Sequence, residues 1–431
     1  MSKQLLNSEW LARLSGFKKL IVGFSGGLDS TVLLHVLASH SLLQDKLVAV
    51  HINHGISANS QSWQDHCEQI CLQSGIHFIA RSVEFARSAN IEEEARIARY
   101  GVFSSLLNAD DCLILAHHRD DQAETLLLQL FRGTGVDGLA AMLELNSFSS
   151  AILARPFLSV FRKQLEHYAD EHELKWIEDE SNQDIKYSRN FLRHEIMPLL
   201  MEKWPGVVGN ITRTAAHCQQ AKVNLDELAI QDSPELVAPK ISINIESLKT
   251  LNFERIANVL RVWLKKNKIQ LPSTMTFQRL IHEVILASPD ATPVVSWDNI
   301  QVHRYQQSLF LVRKKGTHLS SSIEWINFPL PLIAKEYDIH LIAEQANQGL
   351  LIPPDAKVFV KYRQGGEIFC WHGQTKQLKK LFQEWKIPPW LRESIPLIYI
   401  NEQLAAVVGY AVSDLFYSDT SPQTWKLLTN S

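Results

Sequence analysis

The stretch Leu20-Ile21-Val22-Gly23-Phe24-Ser25-Gly26-Gly27-Leu28-Asp29-Ser30 joins a run of β-forming apolar residues to a turn of small and polar ones, and an apolar helical pattern follows it directly. Two glycines let the backbone turn tightly, and amides and hydroxyls at a helix N-terminus form a cradle for an anion. The stretch therefore predicts a strand, a phosphate-binding loop and a helix. An ordinary turn in which Asp29 or Ser30 caps the helix is the alternative. No Gly-Lys-Ser/Thr follows, which disfavours γ-phosphate transfer of the kinase or GTPase type.

The alternation of strand and helix patterns continues on the C-terminal side of this stretch. Further β-type runs are Leu47-Val48-Ala49-Val50-His51-Ile52, His77-Phe78-Ile79-Ala80 and Leu113-Ile114-Leu115-Ala116. Continuous apolar runs separated by helices indicate a parallel sheet covered on both faces, and such sheets bind ligands at the carboxyl ends of their strands. Polar clusters follow these runs at residues 25–30, 51–55 and 117–121. The N-terminal part is thus predicted to be an α/β domain with a ligand site at one sheet edge.

The chain of 431 residues is long enough for two or three domains. Helical patterns at residues 161–173, 188–204 and 207–228 extend the first domain, which we predict to span residues 1–230. Residues 231–240 read as an irregular linker and residues 329–354 as a second break. We expect a mainly helical or mixed middle domain at 241–315 and a small α+β C-terminal domain at 355–431.

Composition excludes several classes of protein. No window approaches the roughly 18 uncharged apolar residues of a membrane span, so we expect a cytoplasmic protein without a membrane partner. The five cysteines form no Cys-x-x-Cys pair, which disfavours a zinc or iron–sulfur site, and their scarcity does not suit a disulfide scaffold. The net charge of −3 gives no overall signal for a polyanion, but residues 361–392 carry seven basic residues against two acidic ones.

A second polar cluster, His117-His118-Arg119-Asp120-Asp121 with Glu124, lies at a predicted strand–helix junction. Asp120 and Glu124 share one helical face at i,i+4. Imidazole and carboxylate groups suit a transition metal, and they equally suit a nucleotide site in which carboxylates hold Mg²⁺ and a histidine stabilises charge on phosphate. The phosphate loop upstream favours the nucleotide. His51 and His54 are open to two interpretations, as core histidines or as contacts of an adenosine pocket.

The motif Ser-Gly-Gly-x-Asp-Ser after the first strand resembles that of the PP-loop ATP pyrophosphatases. Additional motifs resemble those of the tRNA(Ile)-lysidine synthetases and occur in the same order: His51-Ile52-Asn53-His54-Gly55, Glu94-Ala95-Arg96, Ala116-His117-His118, Arg132-Gly133-Thr134-Gly135, Tyr187-Ser188-Arg189-Asn190 with Arg193, and Ile387-Pro388-Pro389-Trp390-Leu391-Arg392. The resemblance covers nearly the whole chain. One departure is Glu180, where the family pattern has proline, and it leaves the local turn at that point open.

The resemblance implies an enzyme that adenylates cytidine 34 in the CAU anticodon of the minor isoleucine tRNA with ATP and Mg²⁺, and then joins lysine to C2 to form lysidine. It assigns the ATP site to Ser25, Gly26, Gly27, Leu28, Asp29, Ser30, His51, Asn53 and His54, with Asp29 positioning the metal. Asp29 and Asp121 are candidates for Mg²⁺ or lysine contacts, and His117 and Arg96 for stabilising the transition state. Weaker candidates for substrate contacts are Asp120, Glu124, Arg132, Arg189, Asn190, Arg193, Lys379, Lys380 and Arg392. A homodimer is one arrangement that the sequence allows.

For several of these residues a structural role stays open beside the functional one. Arg132 has the position of a helix C-terminal dipole partner, and Arg189, Asn190 and Arg193 are either surface polar residues or RNA contacts. The basic face around Lys379 suits RNA and also a solvated amphipathic helix. Among other enzymes of this class, tRNA thiolation requires a reactive cysteine or cluster and an amidotransferase requires a glutaminase cysteine, and the sequence shows neither. A non-catalytic RNA-binding protein is the rival outside enzymes.

Overall fold

The computed structural model of the protein describes residues 5–55, 57, 59–83, 91–288, 291, 293–313, 322–334, 339–421 and 423–429. The chain divides into two compact units, Met1–Leu228 and Ala229–Ser431. The predicted domain boundaries 1–230, 241–315 and 355–431 stay a prediction.

The first unit opens with alternating helices and strands. Its elements are α1 (Ser8–Ser15), β1 (Leu20–Gly23), α2 (Leu28–Ala38), α3 (Ser41–Gln44), β2 (Leu47–Asn53), α4 (Ser60–Gln73), β3 (His77–Ser82), α5 (Ile91–Leu106), β4 (Cys112–Ile114), α6 (Arg119–Phe131), α7 (Val136–Leu139), β5 (Leu145–Phe148), β6 (Ala151–Ala154) and α8 (Arg162–Glu171). The four strands predicted from apolar runs are all present. β4 begins one residue earlier and ends two residues earlier than its run.

These strands form one sheet in the order β3-β2-β1-β4-β6-β5. All neighbouring pairs are parallel except β5–β6, which is an antiparallel hairpin at one edge. Two apolar clusters cover the two faces, one containing Val22 and Leu34 and the other containing Ile21 and Phe103. The predicted α/β class and doubly covered parallel sheet are therefore confirmed. The hairpin was not predicted, because its two strands follow one another without an intervening helix.

A helical extension follows the sheet. A 3₁₀ turn at Glu180–Gln183 leads to α9 (Ser188–Phe191), a π-helical segment at Leu192–Ile196, α10 (Met197–Lys203) and α11 (Val207–Asp232). Glu180 takes the first position of the 3₁₀ turn, and the Asp179 side chain accepts a hydrogen bond from the Ser181 amide at 2.8 Å. Because that position also suits proline, the turn forms with either residue.

The prediction of an irregular linker at residues 231–240 is wrong. α11 continues to Asp232, and a 3₁₀ turn at Pro234–Val237 follows, with Leu236 fully buried in the core of the second unit. The prolines that suggested a linker lie at the start of that turn and after it, where they interrupt no ladder of hydrogen bonds.

The second unit begins with a small domain around Trp263. It contains β7 (Ser242–Asn244), α12 (Glu246–Lys249), α13 (Phe253–Lys266), α14 (Thr274–Arg279), a π-helical segment at Leu280–Ile285, β8 (Val294–Trp297), β9 (Ile300–Tyr305) and β10 (Ser308–Arg313). Its strands form an antiparallel sheet in the order β7-β10-β9-β8.

The remainder of the second unit is mainly β. Its elements are β11 (Ile323–Glu324), β12 (Leu332–Ala334), β13 (Ile339–Ala346), β14 (Gly349–Leu351), β15 (Val358–Lys361), β16 (Ile368–Trp371), β17 (Gln374–Gln377), α15 (Leu378–Glu384), α16 (Pro389–Arg392), β18 (Leu397–Ile400), β19 (Gln403–Val407), β20 (Ala411–Val412), β21 (Tyr417–Ser418) and β22 (Thr424–Thr429). The sheets have the orders β11-β15-β18-β19-β20, β12-β13-β22-β14-β21 and β16-β17. The predicted break at 329–354 is wrong, because β12, β13 and β14 lie there and share a sheet with β22.

Within the described ranges, none of the helices combines the length and the apolar character that crossing a bilayer requires.

Candidate functional site

The loop between β1 and α2 has the geometry of an anion cradle. Helix α2 begins at Leu28, so the amides of its first turn have no acceptor within the helix. The hydroxyls of Ser25 and Ser30 lie 3.1 Å apart, and Ser30 Oγ donates to the Gly27 carbonyl at 3.0 Å. The Gly27 amide donates to Ser25 Oγ at 3.4 Å, so these groups bond to one another and fix the loop. A phosphate at the end of β1 would meet the free amides of the first turn of α2 and the positive end of the helix dipole.

Gly26 allows the loop to turn. Its φ is +82°, and a Cβ there would lie 2.7 Å from both Cys67 Sγ and Ile177 Cδ1. The Gly26 carbonyl accepts hydrogen bonds from the Ile177 amide at 2.9 Å and from Thr31 Oγ1 at 3.3 Å. The loop thus packs on the buried Cys67 and on Ile177.

His118 is the centre of a cluster of carboxylates. Its Nε2 lies 3.6 Å from Asp29 Oδ2 and 3.4 Å from Asp121 Oδ2, and its Nδ1 lies 3.6 Å from Asp120 Oδ2. Burial disfavours the charged imidazole, but Asp121, Asp120 and Asp29 outweigh it and raise the pKa of His118 to about 10. His118 Nδ1 also lies 3.4 Å from the Asp121 amide, so His118 links the first turn of α6 to the phosphate loop, and the raised pKa favours its charged form.

Asp29 offers an oxygen that is free to bind a cation. Its Oδ1 is buried and accepts no hydrogen bond from any described residue, while Oδ2 faces His118. Mg²⁺ on a nucleotide is held by one or two carboxylates together with phosphate oxygens, so the donor set fits that ion. The transition-metal alternative is not supported, because in the described part of the chain no group of three His, Cys, Asp or Glu side chains is placed to hold a metal.

Two arginines of the helical extension bind two acids of α6. Arg189 and Arg193 both reach Asp121 Oδ1, at 3.1 and 3.0 Å, and both Nε atoms donate to Glu124, at 2.8 and 2.7 Å. The Glu124 side chain is only 3% exposed. Burial disfavours the charged form of Asp121, but His118 and Arg189 outweigh it and lower its pKa. The predicted alternatives for these arginines, surface residue or RNA contact, did not include this network.

Asp120 and Glu124, which were predicted to share one helical face, bind different groups. Asp120 Oδ2 accepts the Arg162 amide at 2.9 Å and faces His118, whereas Glu124 acts together with Asp121. Asp120 lies in the first turn of α6, where residues outside the helix come close, so helical periodicity does not predict its neighbours.

His117 lies beside a buried arginine. Arg155 Nε donates to His117 Nδ1 at 3.3 Å. Burial lowers the pKa of His117 to about 3, and Arg155, Arg189 and Arg99 act in the same direction against the opposing charge of Asp121. The pKa values of the two consecutive histidines are therefore shifted in opposite directions, downward for His117 and upward for His118.

The predicted adenosine pocket residues lie at the end of β2. His51 is buried, with Nδ1 at 3.0 Å from the Phe24 carbonyl, which is the core role that was one of its two interpretations. His54 is half-buried, and burial and Arg99 lower its pKa. Asn53 Oδ1 accepts the Gly55 amide at 2.9 Å and so shapes the turn after the strand.

Three other predicted residues of the first unit lie on different elements. Arg96 is exposed on α5, with its guanidinium 5.8 Å from the centre of the Tyr100 ring. Arg132 is exposed at the C-terminal cap of α6, the position of a dipole partner. Asn190 donates to the Ser181 and Asp184 carbonyls at 2.9 and 3.0 Å, which ties α9 to the 3₁₀ turn before it.

In the second unit the predicted RNA contacts differ in exposure. Lys379 and Lys380 are exposed on α15. Arg392 is only 9% exposed, and its Nε donates to the Ile387 carbonyl at 2.8 Å. Trp390 packs on His303, with ring centres 4.2 Å apart, so this aromatic residue contacts the sheet of β9 within the same unit.

Arg155 is the site residue that the sequence did not reveal. No motif in the sequence links it to His117, 38 positions earlier in the chain. Its place after β6 became apparent only from the structure, because the β5–β6 hairpin was not predicted.

A parallel sheet with an anion-binding loop after its first strand and a carboxylate–histidine cluster at the same edge defines the PP-loop class of nucleotide-binding domains. The family model described as "PP-loop domain" matches residues 2–200, and the models described as "TilS substrate binding domain" and "TilS substrate C-terminal domain" match residues 243–310 and 358–429. The chain is 63% identical, over 100% of both chains, to a tRNA(Ile)-lysidine synthase of Legionella pneumophila (strain Lens). It is 38% identical to that of Coxiella burnetii (strain RSA 493 / Nine Mile phase I), over 97% of this chain and 95% of the relative. The chain belongs to the tRNA(Ile)-lysidine synthase family.

Among solved structures, the U34-tRNA thiolase NcsA from Methanococcus maripaludis with its [4Fe-4S] cluster is similar over 50% of this chain and 76% of its own, at 20% identity and a TM-score of 0.40. A similarity at that level adds nothing to the family assignment.

Proposed function

We propose that this protein joins lysine to C2 of cytidine 34 in the CAU anticodon of the minor isoleucine tRNA, with ATP converted to AMP and pyrophosphate. The observation that carries the proposal is the loop from Ser25 to Ser30, an anion cradle whose acid, Asp29, has a free buried oxygen. Full-length similarity to proteins named tRNA(Ile)-lysidine synthase supports the choice of substrate.

The first step is transfer of AMP to the base. O2 of cytidine 34 attacks the α-phosphorus of ATP, the O2–P bond forms, and the bond from the α-phosphorus to the bridging oxygen breaks as pyrophosphate leaves. A carbonyl oxygen is a poor leaving group, and the adenylate makes it a good one. The amides at the start of α2 and the hydroxyls of Ser25 and Ser30 hold the pyrophosphate portion, where negative charge accumulates. His117 and Arg96 are the proposed groups at the transferring phosphate.

The second step is displacement of AMP by lysine. The neutral ε-amine attacks C2, the C2–N bond forms, the C2–O bond breaks, and AMP departs with the oxygen while the amine loses a proton. Asp121 and Glu124 are the acids of α6 at this edge of the sheet, and both are ion-paired with Arg189 and Arg193. Asp121 is the proposed lysine contact, in competition with Arg189 and Arg193.

Mg²⁺ is the proposed metal, held by Asp29 together with phosphate oxygens. When bound it neutralises charge on the leaving pyrophosphate. His118 Nε2, 3.6 Å from Asp29 Oδ2, would in its charged form hold Asp29 in place for this.

The second unit is the proposed tRNA-binding part, with Lys379 and Lys380 as exposed phosphate contacts. Residues 241–315 and 355–431 would each bind part of the tRNA. We further propose that the enzyme works in the cytoplasm, where tRNA, ATP and lysine occur together, and that a homodimer is the arrangement to test by measuring mass in solution.

The test is incubation of the protein with Mg²⁺, ATP, labelled lysine and either the CAU-anticodon isoleucine tRNA or the elongator methionine tRNA. We expect label in the isoleucine tRNA alone, with one pyrophosphate released for each lysine incorporated. Asp29→Ala should abolish both products, whereas Asp45→Ala, which removes an exposed acid after α3, should leave both unchanged.

Each other result contradicts part of the proposal. Pyrophosphate without lysine in RNA would keep the ATP site and reject the substrate. Binding of tRNA without any pyrophosphate would indicate a non-catalytic RNA-binding protein with a structural loop.

A further inference from the structure

Arg155 is a buried cation at the ligand-binding edge of the sheet, and the proposed reaction leaves it without a role. It follows β6 directly and is only 8% exposed. Its Nη1 donates to the Leu143 carbonyl and to Asn146 Oδ1, each at 2.8 Å, and its backbone amide donates to the Glu144 carbonyl at 2.8 Å. These contacts with the chain entering and forming β5 hold the guanidinium in one place.

That fixed guanidinium decides which nitrogen of His117 carries a proton. Arg155 Nε points at His117 Nδ1 at 3.3 Å, and an arginine has only donors to offer. Nδ1 must therefore be the acceptor, so the proton of the neutral ring lies on Nε2. Without Arg155 both neutral forms of the ring become available.

The charges around His117 keep the ring neutral as well. The charged groups that face it are Asp121 on α6, Arg155 after β6, Arg189 on α9 and Arg99 on α5. Burial and three arginines oppose a positive charge, and one carboxylate favours it. His117 accordingly presents an uncharged N–H donor through Nε2.

We propose that Arg155 is a positioning residue that holds His117 as the Nε2–H form, so that His117 donates a hydrogen bond to a substrate oxygen during adenylation and does not act as a base. This inference rests on the proposed function. The oxygen is one that gains negative charge in the step, on the transferring phosphate or on the base. A pre-oriented donor with no charge of its own stabilises such an oxygen without attracting bulk anions into the site.

The decisive variant is Arg155→Met, which keeps the length of the side chain and removes its donors. The control is Arg13→Met, since Arg13 is an exposed arginine of α1 paired with Glu9. Single-turnover pyrophosphate release with the CAU-anticodon tRNA gives the rate of adenylation. At pH 8 we expect Arg155→Met to be slower by about tenfold to a hundredfold, because loss of one oriented donor costs about 10²–10³ and part of the ring population keeps the active form. The KM for ATP should change little, and the control should match the unmodified protein.

The pH profile separates this role from a merely structural one. In Arg155→Met the neutral ring partly adopts the Nδ1–H form, which has no donor at Nε2. Protonation at lower pH restores the Nε2–H group, so the rate relative to the unmodified protein should rise as the pH falls from 9 to 6. A base would lose activity over the same range. Arg155→Lys keeps a cationic donor and should recover part of the rate without the rise toward acid.

A measurement that does not depend on activity completes the test. Long-range ¹H–¹⁵N correlations of histidine-labelled protein report which ring nitrogen carries the proton, and His117→Gln identifies the His117 signal by its loss. We expect the Nε2–H pattern in the unmodified protein and a mixture in Arg155→Met, with thermal unfolding and ATP affinity confirming that the variant folds. An Nδ1–H pattern in the unmodified protein, or a variant whose rate falls toward acid, would overturn the inference. If the unmodified protein releases no pyrophosphate at all, it is the proposed function that fails, and the NMR result still decides the state of His117.

Discussion

The network of Asp121, Glu124, Arg189 and Arg193 predicts a specific loss of stability on replacing Glu124 with glutamine. Glu124 accepts three hydrogen bonds from the two arginines, at 2.8, 2.7 and 2.8 Å, and its side chain is 3% exposed. Removing one partner of a buried ion pair costs about 3–5 kcal/mol. The arginine side chains are 31% and 24% exposed, so water compensates part of the loss, and we expect about 2–3 kcal/mol.

The assay is thermal unfolding of the full-length protein, with hydrogen exchange of peptides from α6 and α9 to assign the change to the first unit. For a unit of this size the expected loss lowers Tm by about 4–12 °C. Glu166→Gln is the matched control, since Glu166 pairs with Arg162 at 3.1 Å on an exposed face, and it should cost less than about 0.5 kcal/mol.

A double-mutant cycle with Arg193→Met tests the cause. If the network is cooperative, the double variant loses less unfolding free energy than the sum of the losses in the two single variants. A Glu124→Gln variant as stable as Glu166→Gln, or strictly additive losses, would show that the two helices are held by apolar packing alone and refute the reasoning.

Three further outcomes follow from other parts of the structure. Gly26→Ala places a Cβ at a φ of +82° against Cys67 and Ile177, so it should lower the free energy of unfolding by about 1–2 kcal/mol and weaken ATP binding in a nucleotide titration. Gly101→Ala, in open space on α5, should be neutral or stabilising. Equal effects of the two changes would contradict the role of the loop. Because the pKa of His118 is raised to about 10, the stability that His118 contributes is complete below pH 6.5, the ordinary histidine pKa, and is lost as the pH rises through 10. The Tm of the unmodified protein should therefore fall more between pH 7 and 10 than the Tm of His118→Gln. Parallel Tm curves would show that His118 is not charged. Lys379→Ala and Lys380→Ala should each weaken binding of any tRNA and reduce the dependence of log K on log salt by up to about 1, measured by filter binding. The control is Lys18→Ala, since Lys18 is exposed in the first unit and pairs with Asp110; an unchanged salt slope in the Lys379 and Lys380 variants would place the tRNA elsewhere.

The sequence predicted the parts of the fold that local patterns encode. The apolar runs beginning at Leu20 and Leu47 became parallel strands because a strand buried on both faces needs uninterrupted apolar residues, and the loop at Ser25 was predictable because its glycines and hydroxyls are adjacent in the chain. Contacts between residues far apart in the sequence could not be predicted in this way. The pairing of Glu124 with Arg189 and Arg193 spans 65 and 69 positions, and no periodicity links them.

The states of His117 and His118 could not have been predicted from their sequence either. The two residues are neighbours of the same type, yet one faces an arginine and the other faces three carboxylates. Their opposite pKa shifts come from side chains that tertiary structure brings to each, which is also why Arg155 was missed.

The support of the phosphate loop by Ile177 limits how the protein can be shortened. Gly26 and Ile177 are joined by a backbone hydrogen bond of 2.9 Å, and Ile177 and Trp176 pack against the same apolar cluster as β1. A fragment that ends after the last strand of the sheet, at Ala154, would contain every loop residue from Ser25 to Ser30 but leave Gly26 without that partner and part of the core uncovered. The smallest piece of this chain expected to bind a nucleotide therefore extends beyond the sheet, at least through Ile177.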